Sequence, residues 1–225
     1  MHFLVLGGSG RSGQLIIHEA LSNGHSVTAL ARSATSFPIK AQENLTIVEG
    51  TPLNRQDVTR AFTSSTLPDA VLSALAARRT SDSPFAPLSP DTPKRLMADS
   101  IANVVSEIKD RGAKTRLVIM SSWGCGDSWD SMNFLLKGMF NYTNMKHGLV
   151  DHDIVDQETR ASSVNFVLVR PAMLAEGDAQ EVKVFPDNGK GIACIPKVTR
   201  ASVAKFMVEA CGKDDFLGKS PVISN

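Results

Sequence analysis

The sequence predicts an α/β fold: a doubly wound parallel sheet in a single domain spanning residues 1–225. Three observations carry that prediction. Short apolar runs alternate with helical stretches along the chain, a glycine-rich turn joins the first run to the first helix, and 225 residues with 42% apolar content suffice for one core. No internal repeat, low-complexity tract or second core is visible.

The elements follow in order. Residues 3–6, Phe-Leu-Val-Leu, form an apolar run of buried-strand length and end at once in Gly7-Gly8-Ser9-Gly10-Arg11-Ser12-Gly13. Leu15, Ile16, Ala20 and Leu21 then recur at helical spacing, and Asn23-Gly24 supplies the left-handed stop that helices favour. Residues 27–31 resume as a strand, so a βαβ unit fills the first 32 residues. Strands at 45–48 and 70–75 flank a helix at 54–62. Pro84, Pro87, Pro90 and Pro93 then interrupt regular structure before a helix at 95–111 that Gly112 ends. Residues 117–120 form the fifth strand. A helix at 150–161 leads to a sixth at 166–169, stopped by Arg170-Pro171, and a helix at 203–211 precedes the apolar end Val222-Ile223. Regular alternation of this kind implies a parallel sheet covered on both faces.

Composition narrows the partners. No stretch approaches the ~18 uninterrupted apolar residues that a membrane helix needs. Twenty-four Lys and Arg against 23 Asp and Glu, with both signs scattered, leave no broad basic face for nucleic acid, so a small molecule is the expected partner. The three cysteines, Cys125, Cys194 and Cys211, lack metal-site spacing; no metal is expected, and a reducing, cytoplasmic setting fits them. Met1-His2 leads straight into the first strand, so no cleavable leader is expected. A monomer and a homodimer are equally compatible with the sequence.

Gly7, Gly10 and Gly13 are spaced G-x-x-G-x-x-G between a strand and a helix. Glycine permits the tight turn and lets backbone approach a pyrophosphate, whose charge is met by exposed N–H groups and the positive end of the helix. Ser9 and Ser12 belong to the same turn. The second strand bears on which nucleotide is taken. An acid at its end would bind the ribose 2′-OH of NAD, but this strand ends Leu30-Ala31-Arg32-Ser33. That favours NADP, with Arg32 on the 2′-phosphate and Arg11 closing from the other side.

With these residues the chain resembles the short-chain dehydrogenase/reductase superfamily, in its small atypical branch of NmrA-like and biliverdin-IX-beta (flavin) reductase members. The resemblance covers nearly the whole chain and includes residues 48–51, 71–78, Ser121-Ser122, Asp151-His152 and residues 167–171. It implies a Rossmann-type fold in which Thr51 and Pro52 flank the adenine, Leu75, Ala76, Ala77 and Arg78 line the cofactor, and Pro171, Ala172 and Met173 meet the nicotinamide end with Ser121. Thr51 stands where the family usually has Asp, and Ala76 where it usually has Gly.

Ligands of open α/β sheets bind at the carboxyl ends of strands, which brings Ser121, Ser122 and the Arg170-Pro171-Ala172 run toward the reacting carbon. In the superfamily a serine here, Ser122 by position, orients the substrate, and a Tyr-x-x-x-Lys pair on the next helix supplies the proton. Tyr142-Thr143-Asn144-Met145-Lys146 satisfies that motif literally, at a spacing that puts both side chains on one helical face. In the short atypical members the lysine position lies about 18 residues before the Arg-Pro, where this chain has His152. Lys146 is six residues earlier, about 600° around an ideal helix, and cannot replace it on one continuous helix.

Residues 123–147 hold both Trp, the only Tyr, Phe134, Phe140 and three of the eight Met. A long irregular segment beside a cofactor site suggests a substrate lid, and this composition suits a planar or apolar substrate. The leading expectation is an NADPH-dependent reductase of a small organic acceptor. The alternatives are a non-catalytic NADP-sensing regulator of NmrA-like type, and an isomerase or cyclisation enzyme on the same fold.

Overall fold

The computed structural model describes residues 1–40 and 42–225. β1 (His2–Leu6) is buried at all five positions, as required of a strand covered on both faces, where apolar and polar residues need not alternate. It pairs in parallel with β2 (Ser26–Ala31) on one side and β4 (Ala70–Ser73) on the other. β3 (Leu45–Glu49) lies beyond β2, while β5 (Arg116–Met120) and β6 (Phe166–Pro171) lie beyond β4. β10 (Val222–Ser224) adds in parallel to β6, and β8 (Lys183–Phe185) closes the edge antiparallel to β10. The order β3-β2-β1-β4-β5-β6-β10-β8 changes direction between β1 and β4, and a crevice opens outside their carboxyl ends. This is the Rossmann-type arrangement expected from the sequence.

The period-2 geometry of β1 divides the core in two. Phe3 and Val5 point to one face, where they meet Ile16 and Ile17 of α1 (Arg11–Ser22) and Met207 of α6 (Arg200–Ala210). Leu4 and Leu6 point to the other, toward Phe62 of α2 (Arg55–Thr63), Ile101 of α3 (Leu96–Asp110) and Val155 of α5 (Lys146–Ala161). Among the described residues no helix is long and apolar enough to cross a membrane.

Three expectations need correction. The fourth strand ends at Ser73 rather than at residue 75, so that Leu75 and Ala76 leave the sheet and line the crevice. Residues 123–147 are not irregular: a 3-10 turn (Gly126–Ser131) is followed by α4 (Phe134–Tyr142), which Asn133 caps by accepting from the Leu136 N–H at 3.0 Å. The helix expected from residue 150 begins at Lys146, after a break at Thr143, whose backbone is extended. That break is tied down from outside, since the Asn144 amide donates to Phe85 O at 2.8 Å and its N–H to Pro84 O. β7 (Met173–Ala175) and β9 (Lys197–Thr199) form a separate small parallel sheet. These strands, and β8, are three residues long and too short to show a period in sequence.

Arg170 is 1% exposed and does not reach the crevice, contrary to the expectation for the Arg-Pro run. Successive strand residues face opposite ways, so Pro171 lines the crevice while Arg170 points to the other side. There its guanidinium donates to Asp156 of α5 at 2.7 Å, to Asp127 of the 3-10 turn, and to the carbonyl of Asp187 at 2.6 Å. One buried cation thereby pins three segments to the end of β6.

Candidate functional site

The glycine turn is built by close contact. Gly7 has φ +76°, and a side chain there would strike Ala74 O at 2.8 Å. A Cβ on Gly13 would lie 2.1 Å from Gly7 O, so the first turn of α1 packs directly on the loop. Gly10 differs: its φ is −79°, and an added Cβ would meet only Gly7 O at 3.3 Å. Backbone conformation does not demand glycine here, and a side chain would press on that one carbonyl. Gly10 is also the N-cap of α1 and offers no side chain, so no side-chain acceptor satisfies the first-turn N–H groups. By contrast, Asn54 caps α2 and Thr199 caps α6.

Beside this turn a trough has two arms that adjoin at Leu75 and Ala76. One arm, about 230 Å³, is walled by Gly7, Ser9, Gly10, Arg32, Thr51 and Pro52, and on its far side by Leu75, Ala76 and Arg78. Arg32 donates to Asp91 at 2.8 Å, and Arg78 donates to both oxygens of the same carboxylate at 3.1 and 2.9 Å. Arg11 does not close on Arg32 from the other side. It lies 3.5 Å from Asp82 and 3.5 Å from Glu176 and lines neither arm of the trough. Ser12 and Gly13 are buried in the helix start, and Ala77 lines neither arm.

The second arm, about 450 Å³, shares Leu75 and Ala76 with the first. Ser121, Ser122, His152, Pro171, Ala172 and Met173 come together here. Ser122 donates its hydroxyl to the Trp123 carbonyl at 3.0 Å, whereas Ser121 Oγ is buried and has no partner among the described residues. His152 Nδ1 is likewise buried and without a partner. Burial pushes its pKa down to about 4, so the imidazole is neutral at pH 7. Two orphaned buried polar atoms in one cleft are exceptions to the rule that such groups find hydrogen bonds, and they mark where a ligand's polar groups would fit.

His152 owes its position to its neighbour. Asp151 is 1% exposed, and its carboxylate accepts from the N–H groups of Met97 at 2.8 Å and Ala98 at 3.0 Å, in the first turn of α3. The N-cap residue of α3, Arg95, gives no side-chain cap, so Asp151 supplies one from α5. This contact fixes the rotation of α5, and the next residue, about 100° further around, enters the cleft.

Tyr142 and Lys146 do not share a helical face. Tyr142 is the last residue of α4 and 85% exposed, and Lys146 is the first residue of α5. Lys146 lines a different groove, with Asn141 and Asp153. What α4 does contribute is apolar: Leu136, Met139 and Phe140, at helical spacing, wall the cleft together with Trp123, Met132 and Met145. Sequence reasoning missed Asp91 and Thr92 in the first arm and Arg79, Asp82 and Arg200 in the second. All but Arg200, the first residue of α6, fall in the charged, proline-rich run after β4, which was their only signal.

A parallel sheet with a glycine turn at its switch point, and a trough running from two arginines to two unpartnered polar groups, defines a dinucleotide-binding α/β protein. The chain belongs to the NAD(P)H-binding family, whose profile matches residues 7–214. No curated protein matches in sequence. Among solved structures, ChuY, an anaerobilin reductase from Escherichia coli O157:H7, is 19% identical with TM-score 0.77, over 100% of this chain and 97% of that one. A short-chain dehydrogenase/reductase from Veillonella parvula DSM 2008 in complex with NADP is 16% identical with TM-score 0.77, over 100% and 94%. SP1627 from Streptococcus pneumoniae TIGR4, assigned as an NADH-flavin reductase, is 21% identical with TM-score 0.72, over 100% and 99%. At these identities the likeness is one of fold.

Proposed function

We propose that the protein is an NADPH-dependent reductase of a small, planar, largely apolar acceptor. The continuity of the two arms through Leu75 and Ala76 carries this reading, because it gives one dinucleotide a path from a basic end to a cleft with room beside it. NADPH supplies two electrons and one proton as hydride when bound. The first turn of α1, with its uncapped N–H groups, faces the pyrophosphate, and Gly10 leaves space for it. Arg32 and Arg78 hold the 2′-phosphate. Ser121 Oγ and His152 Nδ1 give hydrogen bonds to the nicotinamide and acceptor end.

The chemistry of the acceptor follows from what the cleft lacks. His152 is neutral, Tyr142 and Lys146 lie outside the cleft, and the charged side chains that line it are Arg79, Asp82 and Arg200, so no histidinium, tyrosine or lysine faces the acceptor. A simple ketone gathers full alkoxide charge on one oxygen as hydride arrives, and its reduction is slow without a positioned acid to share a proton in the transition state. A flavin, quinone or other conjugated acceptor delocalises the added charge and takes its proton from water. The Met- and aromatic-lined wall suits such a planar body. The flavin and anaerobilin reductases of similar fold support the same class.

Calorimetry tests the cofactor half of the reading. NADPH binds more tightly than NADH, and Arg32→Ala removes most of the difference, costing about 1.5–3 kcal/mol on NADPH. Equal affinity of the parent protein for both nucleotides would refute it.

A further inference from the structure

Arg32 and Arg78 approach each other through a third residue, Asp91, which the cofactor reading above does not use. Its carboxylate takes a hydrogen bond from Arg32 on one oxygen and from Arg78 on both. All three side chains belong to the wall of the first arm. The placement is built into the backbone. The segment after β4 folds back on itself, with Arg79 and Leu88 bridged in antiparallel fashion and the Ser89 N–H donating to Arg78 O at 2.9 Å. Arg78 and Asp91 therefore stand at the two feet of one protrusion, and Pro87, Pro90 and Pro93 stiffen the returning limb.

We infer that Asp91 is a specificity-determining residue: it occupies, between Arg32 and Arg78, the anion position that the 2′-phosphate of NADPH takes, so NADPH must displace it and NADH need not. The inference rests on the reading that Arg32 and Arg78 hold that phosphate. Two guanidinium groups and one carboxylate leave a local charge of +1. A phosphate dianion added beside Asp91 meets a like charge, whereas one that replaces Asp91 is met by two cations. The Arg32 hydrogen bond holds the Asp91 carboxyl below its usual range, so the competing charge is fully present at neutral pH. Displacement needs no rearrangement of the core, because the Asp91 side chain is 49% exposed and can turn to water. NADH presents only a 2′-hydroxyl, which leaves the carboxylate between its arginines and can donate to it.

The test is calorimetry of NADPH and NADH with the full chain as parent, Asp91→Asn and Arg32→Ala. Asparagine keeps the size of the side chain and removes the charge. Asp91→Asn tightens NADPH about fivefold, the scale of one exposed ion pair, and leaves NADH within about twofold. If NADPH affinity is unchanged or weaker, or if NADH tightens equally, Asp91 does not compete for this position and the inference is overturned. Arg32→Ala separates the two failures. If it weakens NADPH while Asp91→Asn has no effect, only the role of Asp91 fails; if it leaves NADPH unaffected, the 2′-phosphate reading fails and the inference falls with it.

Discussion

Ser121 and Ser122 are neighbours at the end of one strand, yet their hydroxyls differ in kind. Ser122 is satisfied by the Trp123 carbonyl, and Ser121 is buried with no partner. Position along the strand pointed to Ser122 as the residue that orients substrate; hydrogen bonding points to Ser121. Ser121→Ala is expected to lower turnover at least tenfold with nucleotide affinity little changed, as for a bond made only in the reacting complex, while Ser122→Ala stays within about threefold. Steady-state kinetics with calorimetry on both variants checks this, and Tyr142→Phe, altering an exposed residue, serves as a control within about twofold. The sequence made the two serines legible as a pair, but the partner of each hydroxyl depends on how the chain turns after β5, which no local pattern records.

His152 ties the site to stability. In the unfolded chain it takes up a proton as pH falls through 6.5, and in the folded protein only near 4. A lowered histidine pKa contributes stability that is complete above 6.5 and is lost as pH falls toward 4, by up to about 3 kcal/mol. Urea unfolding at pH 7.5 and 4.5 checks the sign: the parent should lose more stability between the two than His152→Gln does. Equal losses would mean that His152 does not titrate differently in the two states.

At the scale of elements, two long-range contacts set the geometry. Asp151 caps a helix from 54 residues away, counted to Met97, and through that contact it sets the rotation of α5. Asp151→Ala should cost about 1–2 kcal/mol in denaturant unfolding and also lower turnover, because His152 loses its fixed rotation. The resemblance drew attention to Asp151-His152, and the spacing to Arg170 pointed to His152 rather than Lys146, which lines another groove. Its division of labour was not visible, since a cap supplied from another helix leaves no mark near the helix it caps. Arg170 is the second case. Removing it leaves the Asp156 carboxylate, 10% exposed, with Arg160 as its remaining cation and unties three segments from β6, so Arg170→Ala should destabilise the protein by about 2–3 kcal/mol in the same assay. The Tyr-x-x-x-Lys spacing misled for an equally physical reason. A helical periodicity argument assumes an unbroken helix, and here the chain turns at Thr143, where Asn144 is bonded to Pro84 and Phe85.

Across the whole molecule, the order of strands was legible because buried parallel strands read as uninterrupted apolar runs and each is followed by a helix. The crevice follows from that order alone. Less legible were the charged, proline-rich protrusion after β4 and α4, which wall the crevice, and the short strands β7 to β9, whose positions depend on contacts across the fold. The central claim, that one trough joins a nucleotide to a planar acceptor, is tested most directly by the oxidation of NADPH followed optically against flavin, quinone, aldehyde and ketone acceptors, with the parent protein and with Gly10→Val. Gly10 has an ordinary φ, and an added Cβ presses on Gly7 O alone at 3.3 Å, so folded Gly10→Val, checked by circular dichroism, should lose nucleotide binding because its side chain fills the approach to the pyrophosphate. The parent should oxidise NADPH with a flavin or quinone and not with simple aldehydes or ketones, and folded Gly10→Val should oxidise it with none. NADPH that binds to the parent and is oxidised with no acceptor, or turnover that survives in folded Gly10→Val, would contradict the account.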